Sequence, residues 1–222
     1  MSEKKQTLLT REIYDWVTSM ECARVGKNPD HIYFYCKGRK GTISFYEGYI
    51  IELVVEDTGT GETPFYIHFA IQDIQETKEN VEIFFQFLER KEEKRAVLDV
   101  SALRQTRPLR LLVSCSCGIT SSYFALLMQE ALDRAGAQIK VSAVCYTDVE
   151  KVQEEYDHIL LAPQISYMLP EFQKRYGNKV LAIDMVDFAS RNVEHVLNTI
   201  TQKRYTATLH AFGKVPCPQA LK

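Results

Sequence analysis

The sequence predicts an α/β protein: an α+β unit with an antiparallel sheet, followed by a four-stranded parallel sheet with helices on both faces. Three observations predict it. Aromatic and β-branched segments cluster between residues 31 and 71, separated by short turns. From residue 109 onward, short continuous apolar runs alternate with helical patterns, which is the signature of a covered parallel sheet. Between them lies KEEKR (91–95), a charge run that reads as a solvated helix end and linker. A domain boundary is expected near 96–107. The expected domains are 1–100, 105–203 and an irregular tail at 204–222, which carries Pro216 and Pro218.

The first helix is expected over 10–21, with Thr10 as N-cap and Ile13, Trp16, Val17 and Met20 at helical spacing. Gly26, Asn28 and Pro29 should end it. Four strands follow, at 31–38, 42–46, 49–56 and 65–71, with GRKG as a turn and DTGTGETP as a polar loop. A helix over about 74–90 places Val81, Phe84, Phe85 and Leu88 on one face. Of the strand aromatics (Tyr33, Tyr35, Phe45, Tyr46, Tyr49, Phe65, Tyr66, Phe69), alternate ones should form the core against the helices; a docking or carbohydrate-binding face is the other reading.

In the second half, strands are expected at 109–116, 139–146, 157–164 and 178–184. Helices should occupy 121–136, closed by Gly136, then 147–155, 166–177 with a proline inside, and 190–203.

Ligands of an open parallel sheet bind beyond the carboxyl ends of its strands. The first parallel strand here runs into Ser114-Cys115-Ser116-Cys117-Gly118-Ile119-Thr120-Ser121-Ser122, and a helix follows. Cys115 stands where the strand ends, Gly118 allows a tight turn, and the small residues after it leave amide groups uncovered at a helix N-terminus. Amides and helix dipole together make an anion site, and they favour thiolate over thiol. Such a thiolate is suited to attack a phosphoryl group and hold it as phosphocysteine. The loop by itself fits equally a small buried cysteine that only packs. The Cys-x-Cys spacing has no histidine or second cysteine pair in frame, so no metal site is expected.

At this loop the chain resembles the IIB component of the lactose/cellobiose class of the phosphoenolpyruvate-dependent sugar phosphotransferase system. That family shows a strand, then Cys-Ser-Ala-Gly-Met-Ser-Thr-Ser, then a helix; here the run is Cys115-Ser116-Cys117-Gly118-Ile119-Thr120-Ser121-Ser122. A second block, a strand ending in Gly-Pro-Gln before Tyr-Met-Leu, is matched by Pro163, Gln164, Tyr167, Met168 and Leu169. A third, Ile-Asp-Met-x-Asp-Tyr, is matched by Ile183, Asp184, Met185, Asp187 and Phe188. The resemblance covers about 105–203, and 1–100 is not recognised.

The resemblance implies a phosphotransferase in which Cys115 accepts phosphate from a histidine of the IIA protein. The phosphate then passes to sugar held by the membrane IIC permease. Ser116, Cys117, Gly118, Ile119, Thr120, Ser121 and Ser122 would wrap the phosphate, while Pro163, Gln164, Tyr167, Asp184 and Asp187 would support the loop or a partner. No cofactor is implied. The departures are Cys117 for Ala, Ile119 for Met, Ser166 for a frequent Arg and Phe188 for Tyr. None removes the phosphate acceptor, but each bears on partner recognition. Cys115 and Cys117 would also form a strained regulatory disulfide at most.

Asp184 and Asp187 are expected chiefly to cap a helix or form a turn. His158 lies beside an apolar strand and reads as structural, and His31, His68, His195 and His210 have no adjacent nucleophile in sequence. A low-molecular-weight tyrosine phosphatase is disfavoured, because its loop needs an arginine six positions after the cysteine and Ser121 stands there. Charge excludes more. The net charge is −2, divided as −5 in 1–100 and +3 in 101–222, with no basic stripe for nucleic acid. No apolar run is long enough to span a bilayer, and the N-terminus lacks a secretory h-region. The six cysteines read as thiols of a reducing compartment, so a cytoplasmic protein is expected. A regulatory protein, whose IIB-like half reports phosphorylation to partners of the first half, is the alternative to a transport carrier.

Overall fold

The computed structural model describes residues 3–90, 97–98, 109–116 and 119–201. The expected linker at 91–95, nearly all of the 96–107 boundary and the 204–222 tail lie outside the described residues. Helix α1 (Glu3–Thr18) precedes five strands: β1 (Arg24–Val25), β2 (His31–Cys36), β3 (Arg39–Tyr46), β4 (Ile50–Asp57) and β5 (Phe65–Ala70). Helix α2 (Ile74–Glu89) completes this half. The strands form an antiparallel meander in sequence order.

Period-2 alternation divides this sheet. Ile32, Phe34, Ile43, Phe45, Ile51, Leu53, Val55, Phe65, Ile67 and Phe69 are buried, together with Ile13 and Val17 of α1 and Val81, Phe84 and Leu88 of α2. The tyrosines fall on the other face, where Tyr35 and Tyr46 are exposed. The aromatic core expected from alternation is therefore built of phenylalanines. The β2–β3 turn is two residues, Lys37 and Gly38, both with positive φ (48° and 80°), and Cys36 pairs with Arg39 across it.

Four expectations change here. Helix α1 begins seven residues before Thr10, because EKKQTLL forms helix without a long apolar stripe; Thr10 is interior and caps nothing. The helix stops at Thr18, well before Gly26. A fifth strand, β1, is too short to leave a pattern in the sequence. The GRKG turn is shifted, since Arg39 already belongs to β3. Arg39 is 8% exposed, and its Nη1 donates to the carbonyls of Phe87 and Arg90, both at 3.0 Å, closing the end of α2.

The second half consists of β6 (Leu109–Cys115), α3 (Ile119–Arg134), β7 (Ile139–Cys145), α4 (Val149–Val152), β8 (His158–Leu161), α5 (Leu169–Tyr176), β9 (Val180–Ala182) and α6 (Met185–Ser190). A further helical run, α7, covers 193–201. All strand pairs are parallel, in the order β7-β6-β8-β9. Leu111, Val113 and Leu160 pack with Phe124 and Met128 of α3 and Leu197 of α7. Leu112, Ile159 and Leu161 pack on the opposite face with Val149 of α4 and Phe172 of α5. Gly136 closes α3 with φ 65°, as expected.

Strand β8 is shorter than the expected 157–164, because Pro163 has no N–H for the ladder and opens a 3-10 turn over Pro163–Met168. The expected helix over 166–177 is thus a 3-10 turn followed by α5, with Pro170 in its first turn, where a missing N–H costs nothing. The polar helix expected at 147–155 is α4 flanked by two 3-10 turns.

The two sheets share one hydrophobic cluster, which runs from Ile13 and Phe69 to Leu111 and Ile200. Helix α6 packs on β5 and α2. At the same junction the Gln164 side chain donates to the His68 carbonyl at 3.4 Å.

A Cβ added at Gly41 of β3 would lie 2.7 Å from Phe84 Cζ and 3.0 Å from Leu88 Cδ2. Gly41→Ala is expected to destabilise the protein by about 1–3 kcal/mol through overpacking. Urea denaturation should show a lower midpoint with an unchanged slope; an unaltered midpoint would show that α2 is not seated on β3 as described.

Candidate functional site at the end of the central parallel strand

Strand β6 lies between β7 and β8, and its end is held on both sides. The Ser114 hydroxyl donates to the Val144 carbonyl at 3.2 Å, and the Ser114 carbonyl accepts from the Ala162 amide at 2.8 Å. Cys115 is therefore delivered to the carboxyl edge of the sheet as the last residue of β6. Helix α3 begins four residues later, at Ile119. The Cys115 thiol donates to Ser121 Oγ at 3.2 Å; Ser121, in the first turn of α3, is fully buried. The sulfur lies beside a hydroxyl and the positive end of a helix dipole, and both favour a negative charge on sulfur.

Cys115 is itself only 1% exposed and belongs to the hydrophobic cluster around β6 and α3. Among its expected neighbours, Ser116 and Ser122 are exposed and Thr120 is half-buried. Cys117 and Gly118 lie outside the described residues. Cys145 ends β7 directly beside Cys115 in register. Its thiol donates to the Ser116 carbonyl at 3.1 Å, and the Thr147 hydroxyl donates to its sulfur at 3.3 Å. No reading of the sequence brought Cys145 to this site, because only strand register does so.

Pro163 and Gln164 follow β8 but face the junction with the first half. With Tyr167 they line a small cleft closed by Phe69, Ala70, Glu76, Thr77 and Asn80. Burial and the nearby Asp73 and Glu79 carboxylates push the Glu76 carboxyl up from its usual range. Tyr167 is half exposed. Asp184 caps α6, accepting from the amides of Val186 at 2.8 Å and Asp187 at 3.4 Å, as expected of a capping aspartate.

Asp187 does something the sequence did not suggest. It is 7% exposed, and its Oδ2 lies 2.7 Å from Nδ1 of His195, while Oδ1 accepts from Asn192 at 3.3 Å. His195 thus has a carboxylate partner eight residues away, across the α6–α7 corner, a separation that periodicity does not flag. Burial raises the Asp187 carboxyl, against the opposing pull of His195. Among the described residues, no group of three His, Cys, Asp or Glu side chains is placed to hold a metal, and no helix is long and apolar enough to cross a membrane.

The thiol thus stands at the carboxyl edge of a covered parallel sheet, beside the start of a helix, which is the edge where open α/β sheets bind their ligands. Residues 110–199 match the family model described as "PTS system, Lactose/Cellobiose specific IIB subunit". The IIB-like segment is thus the parallel-sheet half, and the match stops short of the antiparallel sheet. Over 82 residues the chain is 28% identical to the oligo-beta-mannoside-specific EIIB component of Bacillus subtilis, covering 36% of this chain and 80% of that protein. Among solved structures, it is similar to the lactose-specific IIB domain of Streptococcus pneumoniae (TM-score 0.40, 21% identity, 43% of this chain and 97% of that one). It is also similar to the cellobiose-specific IIB protein of Borrelia burgdorferi (TM-score 0.39, 19% identity, 46% and 96%).

The raised Asp187 carboxyl has a consequence for stability. The native state holds this proton at a pH where the unfolded chain has released it, so its contribution is full below the ordinary aspartate range. That contribution is lost as pH rises through the raised native value. Urea denaturation across this interval should give a slope of unfolding free energy against pH that is more negative in the native sequence than in Asp187→Asn; equal slopes would mean that Asp187 titrates normally.

Proposed function

We propose that the protein is a phosphoryl carrier of a sugar phosphotransferase system, with Cys115 as the acceptor. The thiolate of Cys115 attacks the phosphorus of a phosphohistidine on a IIA protein. The P–N bond breaks, the imidazole leaves with its electron pair, and a phosphocysteine remains. A hydroxyl of sugar held by a membrane IIC permease then attacks, its proton passes to a base on the permease, and the P–S bond breaks to return the thiolate. In this reading the backbone amides and hydroxyls of residues 116–122 hold the charge in transit. No dissociable cofactor enters either step. The phosphoryl-handling unit is 105–203, and the protein works in the cytoplasm, where phosphorylated IIA would be met.

The single observation that carries this reading is a coincidence of place. The segment matching the IIB family contains one described cysteine that ends the central strand and meets the first turn of the following helix, and it is Cys115.

The test is an intact mass after incubation with phosphoenolpyruvate, the general phosphotransferase proteins and a IIA protein. One phosphoryl group should be added to the native chain and to Cys117→Ser, and none to Cys115→Ser. No addition with several IIA partners would sink the proposal. Ser121→Ala should slow phosphoryl uptake roughly tenfold or more, since a hydrogen bond to a charged group contributes about 1.5–3 kcal/mol; rapid quenching and mass analysis would read the rate.

A second reading is favoured by the shared core of the two halves. Phosphate on Cys115 would then report sugar flux to partners of 1–100. Restored sugar uptake in a strain lacking its own IIB protein supports a transport role, whereas phosphorylation without restored uptake supports the regulatory one.

A further inference from the structure

We propose that Cys115 and Cys145 form a reversible disulfide, a thiol-modification site that closes the phosphoryl-accepting sulfur to its donor. The inference rests on the reading of Cys115 as acceptor, but the bridge itself stands on geometry that does not depend on that reading. The two residues are register partners of adjacent parallel strands. Their side chains point to one face, because Leu109 and Ile139, Leu111 and Val141, and Val113 and Ala143, the preceding partners on alternate positions, all join the same cluster. Neighbouring strands lie about 4.8 Å apart, within the Cα separations that disulfides span. A bridge further requires the Cβ atoms to approach to about 3.8 Å, so the strands must pinch. Each cysteine is the last residue of its strand, so no ladder beyond them resists that movement.

The surroundings agree. Neither is in a disulfide, and Cys145 is only partly buried while Cys115 is covered. The Cys145 thiol reaches the carbonyl of Ser116, the residue directly after Cys115, so its sulfur already stands against the acceptor loop. Peroxide would meet Cys145 first. The Cys145 thiol loses its proton, its thiolate takes one peroxide oxygen as the O–O bond breaks, and the departing hydroxide recovers that proton, leaving a sulfenic acid and water. The Cys115 thiol likewise ionises, its thiolate attacks that sulfur, the S–O bond breaks, and the hydroxide released takes the second proton to leave as water while the disulfide forms. The pair gives up two electrons to the peroxide, and a dithiol reductant returns them. The Cys115–Ser121 contact and the Cys145–Ser116 contact both break in the bridged form, and no thiolate remains to accept phosphate.

The test uses the full chain. Treat it with hydrogen peroxide, block free thiols with N-ethylmaleimide, and map peptides without reduction. The peptides holding Cys115 and Cys145 should be found linked in the native chain and in Cys117→Ser, unlinked in Cys145→Ser, and separated again by dithiothreitol. A bridge from Cys115 to Cys117, or no bridge at all, overturns the proposal. Prior peroxide should abolish phosphoryl uptake in the native chain, and dithiothreitol should restore it. In Cys145→Ser the ratio of uptake with and without peroxide should move towards one; an undiminished peroxide effect in that variant also overturns it. If no form takes up phosphate even when reduced, the carrier reading fails, while the peptide map still decides the bridge.

Discussion

The end of strand β6 is the constraint on which the site depends. Two hydrogen bonds of Ser114, one to each neighbouring strand, fix the chain one residue before Cys115. Buried backbone and hydroxyl groups must be paired, so these bonds cannot be given up cheaply. They set where the sulfur leaves the sheet, and with it the distance to Ser121 and the register with Cys145. The packing of Leu111, Val113 and Phe124 beneath then holds strand and helix as one layer. A side chain placed this way draws its precision from regular structure rather than from a loop.

Much of this was legible in the sequence because it is local. Continuous apolar runs gave the parallel strands, Gly136 gave the end of α3, and the change from an apolar run to small residues gave the place of Cys115 between a strand and a helix. What escaped is non-local or lacks a pattern. Cys145 reaches Cys115 only through strand register, thirty positions along the chain. The Asp187–His195 pair crosses a helix corner whose geometry depends on Arg191 adopting φ 57°. The first turns of α1 carry few apolar residues, so nothing in periodicity marks Glu3 as their start. Thr10 has the chemistry of a cap but sits where the helix is already formed, which shows that capping residues mark candidates rather than boundaries.

The junction between the sheets links these levels. Helix α6, whose cap Asp184 lies in a block shared with the IIB family, packs on α3 through the stacked rings of Phe124 and Phe188, 4.7 Å apart. The same helix rests on β5 and α2 of the first half. Phe188 replaces the Tyr of the family pattern, and it is 4% exposed. A phenolic hydroxyl there would need a polar partner inside an apolar layer, so phenylalanine suits a helix that is covered by additional structure. The antiparallel half is thus packed onto the parallel one, through residues that belong to the IIB-like segment itself.

Cys115 is 1% exposed, so the proposed transfer from a histidine on another protein requires the sulfur to be uncovered first. Desolvation opposes the thiolate, while Ser121 and the start of α3 favour it, so the resting sulfur is held between these two tendencies. In the proposed carrier role, the sulfur would have to be uncovered while Ser121 and the start of α3 stay beside it, so that the groups favouring the anion are kept. The proposed bridge meets the same cover, because Cys145 stands at the adjacent strand end and is itself only partly buried.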